Sequence, residues 1–261
     1  MGGRIHVEKE GPLGWLVFDH PERRNAISGE MWAAIPEAAR DLDEDPEIRV
    51  VILRGAGEVA FVSGADISEF EERRTGAAKA LAYEGATGRA FGALLNIAKP
   101  VLAMIHGFCV GGGMATALAA DLRYSADDGV FAIPAARLGL GYHESGLQAL
   151  VALVGPATAK EIFFTARRFS AEEALRVGIL TEVAPKAELE ALVRKRATAI
   201  AANAPLTLES AKRIVRELGR DESQRDREAI QASITRCFES EDYKEGVRAF
   251  LEKRKPVFKG R

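Results

Sequence analysis

"HGFCVGGGMATALAADLRY", His106 to Tyr124, is the stretch on which the reading of this chain turns. Three consecutive glycines follow the apolar run "PVLAMIHG" (100–107) and lead into an alanine-rich helical stretch. A strand that ends in glycine and opens a helix gathers free N–H groups and the positive end of the helix dipole at one point. The spacing Gly107, Gly111, Gly112, Gly113 is not G-x-G-x-x-G, and no G-K-[ST] follows. Dinucleotide and P-loop fingerprints are therefore both absent. Two readings remain: backbone N–H groups aimed at charge developing on a carbonyl oxygen, or close packing of a helix on a sheet, which glycine permits. The helix itself carries only Met, Ala, Thr and Leu before Ala120, so proton chemistry must come from elsewhere.

A second loop has the same character. In "FVSGADISEF" (61–70) a strand-like segment ends in Ser63-Gly64-Ala65, and a helix is expected near Asp66. Asp66 reads as a cap or loop brace rather than a catalytic acid. Two such loops matter more than one, because an oxyanion hole usually needs two donors. The third stretch is "ARLGLGYHESG" (136–146), where Tyr142, His143 and Glu144 are successive protic groups. Histidine and glutamate are the ordinary acid–base side chains. A helix is expected from about residue 144, and successive helical side chains diverge by about 100°. All three cannot reach one substrate atom. His6 and His20 read as surface or turn residues, and His106 as a structural hydrogen-bonder beside the glycine loop.

Outward from these loops, "LGWLVFD" (13–19), "IRVVILRG" (48–55), "PVLAMIHG" (100–107) and "GVFAIP" (129–134) read as strands. Residues 28–45, with Ser28 as N-cap, and 76–100, stopped by Pro100, read as helices. The alternation predicts α/β layering with near-parallel strands. After about residue 142 strand signals almost vanish, and helical periods split by Pro205 and the Gly219–Asp221 turn take over.

Bulk properties limit the function. The net charge of -2 and the lack of a basic stripe argue against a nucleic-acid partner. Cys109 and Cys237 cannot form a disulfide framework for 261 residues, so a reducing, cytoplasmic setting is expected. The N-terminus lacks the apolar region of a signal peptide and the myristoylation pattern, and the longest apolar stretches look too short to span a membrane.

Taken together, the motifs resemble the crotonase superfamily, the enoyl-CoA hydratase/isomerase family. "HPERRNAI", "SGADI", "IHGFCVGGG", "FAIPAARLGLG", "EIFFTARRFSAEEALRVGILTEV" and "SEDYKEGVRAFLEKRKPVFKG" follow in the family's order over nearly the whole chain. The resemblance implies a crotonase-like α/β spiral of ββα units over residues 1–200. It also implies a helical C-terminal trimerisation region over 201–261, and a homotrimer or homohexamer. It implies an acyl-CoA thioester substrate, no metal, no cofactor beyond the CoA moiety, and no membrane partner. By position, the Ala65 and Gly112 amides would hold the thioester enolate. Arg23, Arg24 and Ala26, with Ala65 and Ile67, would meet the CoA, and Phe250 and Lys253 would reach a neighbouring subunit's CoA.

The chain departs from the family at two positions. Typical hydratases carry two water-activating glutamates, and the matching positions here are Ala115 and Ala135. Alanine moves no proton, so hydration or double-bond migration would rely on His143 or Glu144. An alternative is decarboxylation of a malonyl- or alkylmalonyl-CoA, in which loss of carbon dioxide itself yields the enolate. Tyr142 and the tail are similar to methylmalonyl-CoA decarboxylase, although that enzyme keeps a carboxylate where Ala115 stands and a histidine where Ala65 stands. A third reading is an acyl-CoA-binding homologue without turnover.

Overall fold

Strands β1 (Arg4–Glu10) and β2 (Leu13–Asp19) form an antiparallel hairpin turned at Gly11, whose φ is 55°. The computed structural model describes residues 2–69, 77–142 and 144–261. After β2 comes helix α1 (Gly29–Glu44). Ser28 caps it, its side chain accepting from the Met31 N–H at 3.2 Å, and one face buries Met31, Trp32, Ile35, Ala39 and Leu42. That spacing is the period of one helix face.

The chain then repeats one unit three times. Strand β3 (Val50–Gly55) is followed by β4 (Ala60–Val62) and α2 (Ala77–Asn96). Next come β5 (Val101–Ile105), β6 (Phe108–Val110) and α3 (Gly112–Leu118), then β7 (Leu122–Ala126), β8 (Val130–Ala132) and α4 (Glu144–Thr165). The first strand of each unit enters one sheet and the second enters another. With β9 (Phe169–Ser170) and β10 (Glu182–Ala184), the orders are β1-β2-β3-β5-β7-β10 and β4-β6-β8-β9. All neighbours are parallel except β1 with β2 and β8 with β9. The turn from β5 to β6 needs Gly107: its φ is 52°, and a Cβ there would lie 2.0 Å from the Val59 carbonyl oxygen.

The central strands are apolar on both faces because both faces are covered. Leu16, Phe18, Val51, Leu53, Val101 and Ala103 face a core shared with α1, α2 and α3. Trp15, Val17, Val50, Ile52, Leu102 and Met104 face Leu189, Val193 and Ala197 of α6 (Leu189–Ala201). The short helix α5 (Ala171–Arg176) before it carries a capping box between Ser170 and Glu173. The chain ends in α7 (Pro205–Leu218), α8 (Arg227–Glu239) and α9 (Glu241–Leu251). Lys212 ties α7 to the core, reaching Asp121 at 2.7 Å and the Lys99 carbonyl at 2.9 Å. The face these helices leave open carries Val215, Leu218, Phe238, Phe250 and Leu251, all more than half exposed.

The expected strands are present, though shorter: residues 48–55 begin pairing at Val50, and 129–134 pair only over Val130–Ala132. The helix expected to run to Pro100 stops at Asn96. Strands do not end at residue 142. β9 and β10 each complete a sheet with only two and three residues, too few to register as a period. One described helical stretch, Gly146–Thr165, is long and apolar enough to cross a membrane by length and composition, contrary to the sequence expectation. Gly155, at φ 74° and ψ 167°, followed by Pro156, breaks it into two halves. Neither half approaches the ~20 residues a span needs.

Candidate functional site

Each glycine loop leaves backbone donors unused, among them one that faces the other loop. Ile27 forms an isolated parallel bridge with Ala65. The Ile27 N–H donates to Gly64 O at 2.8 Å, and Asp66 N–H donates to Ile27 O at 2.9 Å. A parallel bridge engages the residues on either side of its centre and turns the central residue's own N–H away. The Ala65 N–H accordingly meets no acceptor among the described residues. In the second loop, Gly111 takes φ 54° and ψ −112° and donates to Ala132 O at 2.9 Å. The first intrahelical bond of α3 runs from Ala115 N–H to Gly111 O, so Gly112, the first residue of the helix, keeps a free N–H.

The fold brings these donors together. A Cβ on Gly112 would sit 3.5 Å from the Ala65 nitrogen and 3.3 Å from Cζ2 of Trp32. A Cβ on Gly113 would lie 2.1 Å from the Val62 carbonyl oxygen, so α3 starts in direct contact with the end of β4. The run does two things at different positions: Gly113 permits packing, and Gly112 leaves an amide beside that of Ala65. Behind Gly112, the Trp32 indole donates to the Tyr83 hydroxyl at 3.0 Å and meets Phe91 edge-on.

The segment from His20 to Ile27 lies against the first loop. Arg24 and Asn25 both adopt left-handed backbone, at φ 51° and 56°. Asn25 is buried and holds the turn: it accepts from His20 N–H and donates to the Ala56 and Ala60 carbonyls at 3.0 and 2.8 Å. Ser63 donates from its side chain to Arg23 O and from its backbone to Arg24 O. Arg23 also reaches Asp66 at 3.3 Å. Burial disfavours the Asp66 charge, but hydrogen bonds from Ser68 and the nearby Arg23 outweigh it and hold the carboxyl below its ordinary range. Asp66 is thus a loop brace, as its position suggested. Ala26 is buried, with its carbonyl 3.0 Å from His20 Nδ1, while Ile67 stands exposed at the loop's rim. Of the surface and turn positions expected for His20, the structure has the turn: it starts the Pro21–Arg23 turn and is buried under Gly3.

The proton side of the site is different. Ala135 is buried in the turn Pro134–Leu138, and Ala115 is half-buried on α3. Tyr142 packs edge-on against Phe163 at 4.9 Å, and burial pushes its phenol above the ordinary range, so it stays protonated at neutral pH. No hydrogen bond joins Tyr142 to either loop among the described residues. Glu144 opens α4. His143 lies outside the described residues. Phe250 is 82% exposed at the end of α9, and Lys253 follows in left-handed backbone at φ 53°; neither turns back to the loops of its own chain. Among the described residues no group of three or more His, Cys, Asp or Glu could hold a metal ion. A cleft of about 500 Å³ opens between α7, α8 and Asn96–Ala98, but none of the candidate residues lines it. Asn25 and Trp32 were not anticipated. The only sequence signal for Trp32 was its place on the buried face of α1, and Asn25 gave none beyond sitting in a turn.

Comparison with known proteins identifies the family. The family model described as Enoyl-CoA hydratase/isomerase matches residues 8–261. A short-chain-enoyl-CoA hydratase of Clostridium acetobutylicum is 33% identical over 259 residues, covering 96% of this chain and 95% of the relative. A carnitinyl-CoA dehydratase of Salmonella enteritidis is 34% identical over 265 residues and the full length of both. Among solved structures, an enoyl-CoA hydratase/carnithine racemase from Magnetospirillum magneticum superposes with a TM-score of 0.94 at 36% identity, over 98% of this chain and 96% of that one. An enoyl-CoA hydratase from Bacillus anthracis gives 0.91 at 28%, over 99% and 100%.

Proposed function

This chain belongs to the enoyl-CoA hydratase/isomerase family of the crotonase superfamily, and from that premise we propose an enzyme that acts on an acyl-CoA thioester through an enolate held by the Ala65 and Gly112 amides. The observation that carries this reading is the pair of unused N–H groups on adjoining loops. When a thioester is converted to its enolate, negative charge grows on the carbonyl oxygen. Two preorganised donors favour that charged state over the neutral ground state. Loss of one such donor typically costs about 2.7–4 kcal/mol of transition-state stabilisation.

The reaction is addition or elimination of water next to the thioester, or double-bond migration. The names of the relatives support this class. With alanine at 115 and 135, the proton is carried from the Tyr142–Glu144 stretch, by His143 or Glu144. A second reading, decarboxylation of a malonyl-type CoA, is favoured by one observation: the side chain at Tyr142, half-buried and packed edge-on against Phe163, is a phenol, which at neutral pH is a proton donor and not a base. Carbon–carbon cleavage would form the enolate without a base, and this phenol would protonate it.

The test is a mass-spectrometric screen of crotonyl-, 3-hydroxybutyryl-, malonyl- and methylmalonyl-CoA in deuterated water. Hydration or dehydration of the first two, lost in His143→Ala or Glu144→Ala, is the expected result. Carbon dioxide release from the malonyl thioesters, slowed in Tyr142→Phe, would replace the first reading by the second. Tight CoA binding with no product from any thioester would sink both and leave a binding protein. The Phe250–Lys253 face and the exposed apolar helices support assembly as a trimer or hexamer, which sedimentation would measure.

A further inference from the structure

Two arginine pairs stand far apart in the sequence, Arg23-Arg24 and Arg167-Arg168, and the fold treats them alike. In each, the first arginine is neutralised. Arg23 meets Asp66 at 3.3 Å, and Arg167 is shared between Glu161 at 2.9 Å and Glu173 at 3.0 Å. In each, the second arginine meets no carboxylate among the described residues. Both of these second guanidinium groups instead stand over one ring, that of Phe108, at 4.7 Å for Arg24 and 5.8 Å for Arg168.

The topology explains how they meet. Phe108 opens β6, in the middle of the smaller sheet, opposite Ala60 of β4 and Val130 of β8. Val130 in turn faces Ser170 of β9. Arg24 comes to the ring from the β4 side, where its carbonyl accepts from Ser63, and Arg168 comes from the residue just before β9. Two cations gathered at one ring repel each other, and exposed cation–π contacts are weak. An anion placed between them removes that repulsion. Charge-assisted pairs to phosphate are the strong interactions of guanidinium groups. A phosphate monoester carries close to two negative charges at neutral pH.

We propose that Arg24, Phe108 and Arg168 form a clamp for the 3′-phosphate of the substrate's CoA moiety, with Arg168, some 140 residues from the segment expected to meet the nucleotide, as its second cation. The proposal rests on the acyl-CoA reading above. It makes Arg168 a binding residue with no part in the chemistry at the thioester.

Calorimetric titration of the full chain with CoA and with 3′-dephospho-CoA tests it. The expected result is a CoA Kd raised about tenfold in Arg168→Gln, the scale of one lost charge-assisted contact, with the Kd for 3′-dephospho-CoA unchanged. Arg167→Gln, whose guanidinium is already engaged, should leave both values unchanged. Equal weakening of both ligands by Arg168→Gln, or no change in either, overturns the clamp and leaves the acyl-CoA reading intact. If the wild-type chain binds neither CoA nor 3′-dephospho-CoA, the acyl-CoA reading fails instead. Adenosine 3′,5′-bisphosphate is then the probe: binding that Arg168→Gln abolishes sustains a phosphate clamp, and absence of binding overturns it too.

Discussion

The two glycine loops and the Pro134–Gly146 segment do opposite things with their side chains. At the loops the proposed working groups are backbone amides. Several nearby side chains serve their placement: Asn25 holds the turn, Ser63 and Asp66 brace the first loop, and Trp32 backs Gly112. In the other segment the side chains would have to do chemistry, and Ala135, with Ala115 on α3, has none to offer. Among the described residues there, Tyr142 is half-buried and Glu144 opens α4. On the proposed reading, enolate stabilisation and proton transfer are separable functions. The first depends on backbone geometry that any change of local conformation would disturb. The second can be lost or replaced at single positions while the frame stays intact.

The sharpest way to break this comparison is to remove a donor without moving the frame. Gly112→Pro deletes the N–H at the first helical position, where proline suits the helix, though its Cβ presses on the Trp32 ring at 3.3 Å. We expect kcat to fall about 10²–10³-fold with a melting temperature lowered by only a few degrees. Activity within a few-fold of wild type would show that this amide is not a donor. Next in size is Gly113→Ala, which forces a methyl group against the Val62 carbonyl. Overpacking of this kind costs about 1–3 kcal/mol, read as a lower urea midpoint, together with weaker catalysis as α3 shifts.

On the proton side, restoring carboxylates should expose the difference between its two positions. Ala135→Glu buries a charge in the Pro134–Leu138 turn and should cost about 2–3 kcal/mol in urea unfolding. Ala115→Glu, at a half-buried position, should cost under about 1 kcal/mol. Equal costs would mean that the two alanines share one environment. The smallest effect concerns Asp66. Its carboxyl is held below the ordinary aspartate range in the folded chain, so the unfolded chain binds its proton first as pH falls. The stabilisation is fully present above the unfolded pKa and is lost as pH drops through the lower folded value. In Asp66→Asn, stability measured by thermal melts should decline less steeply with pH below about 4 than in the wild type. An unchanged acid limb would remove Asp66 from the list of braces.

Much of the frame was legible from local patterns. Leu13–Asp19 formed the strand its apolar run predicted, and Ser28 capped α1 because a hydroxyl before an amphipathic run satisfies an orphan N–H. The strands that escaped notice are short or atypical. β1, "RIHVEKE", is a half-buried edge strand rich in charge, β6, β9 and β10 are too brief to show a period, and β7, "LRYSA", directly follows the alanine-rich helical stretch. His20 starts a turn, as one of its two readings has it, but its burial comes also from Gly3, which lies outside the turn's local sequence.

By itself, the sequence determined the family through the order of its motifs, the two glycine loops as sites of free amides, and the alanines where proton-moving carboxylates would stand. These are properties of residue type and of conformations set within a few residues. Only the tertiary structure decided which amides meet. Ala65 and Gly112 adjoin because β4 and β6 are neighbours in the smaller sheet and α3 starts against Val62. Arg24 and Arg168 share Phe108 for the same reason. A parallel sheet pairs strands distant in the chain, so its juxtapositions depend on the closure of the whole spiral and not on the local pattern of any segment.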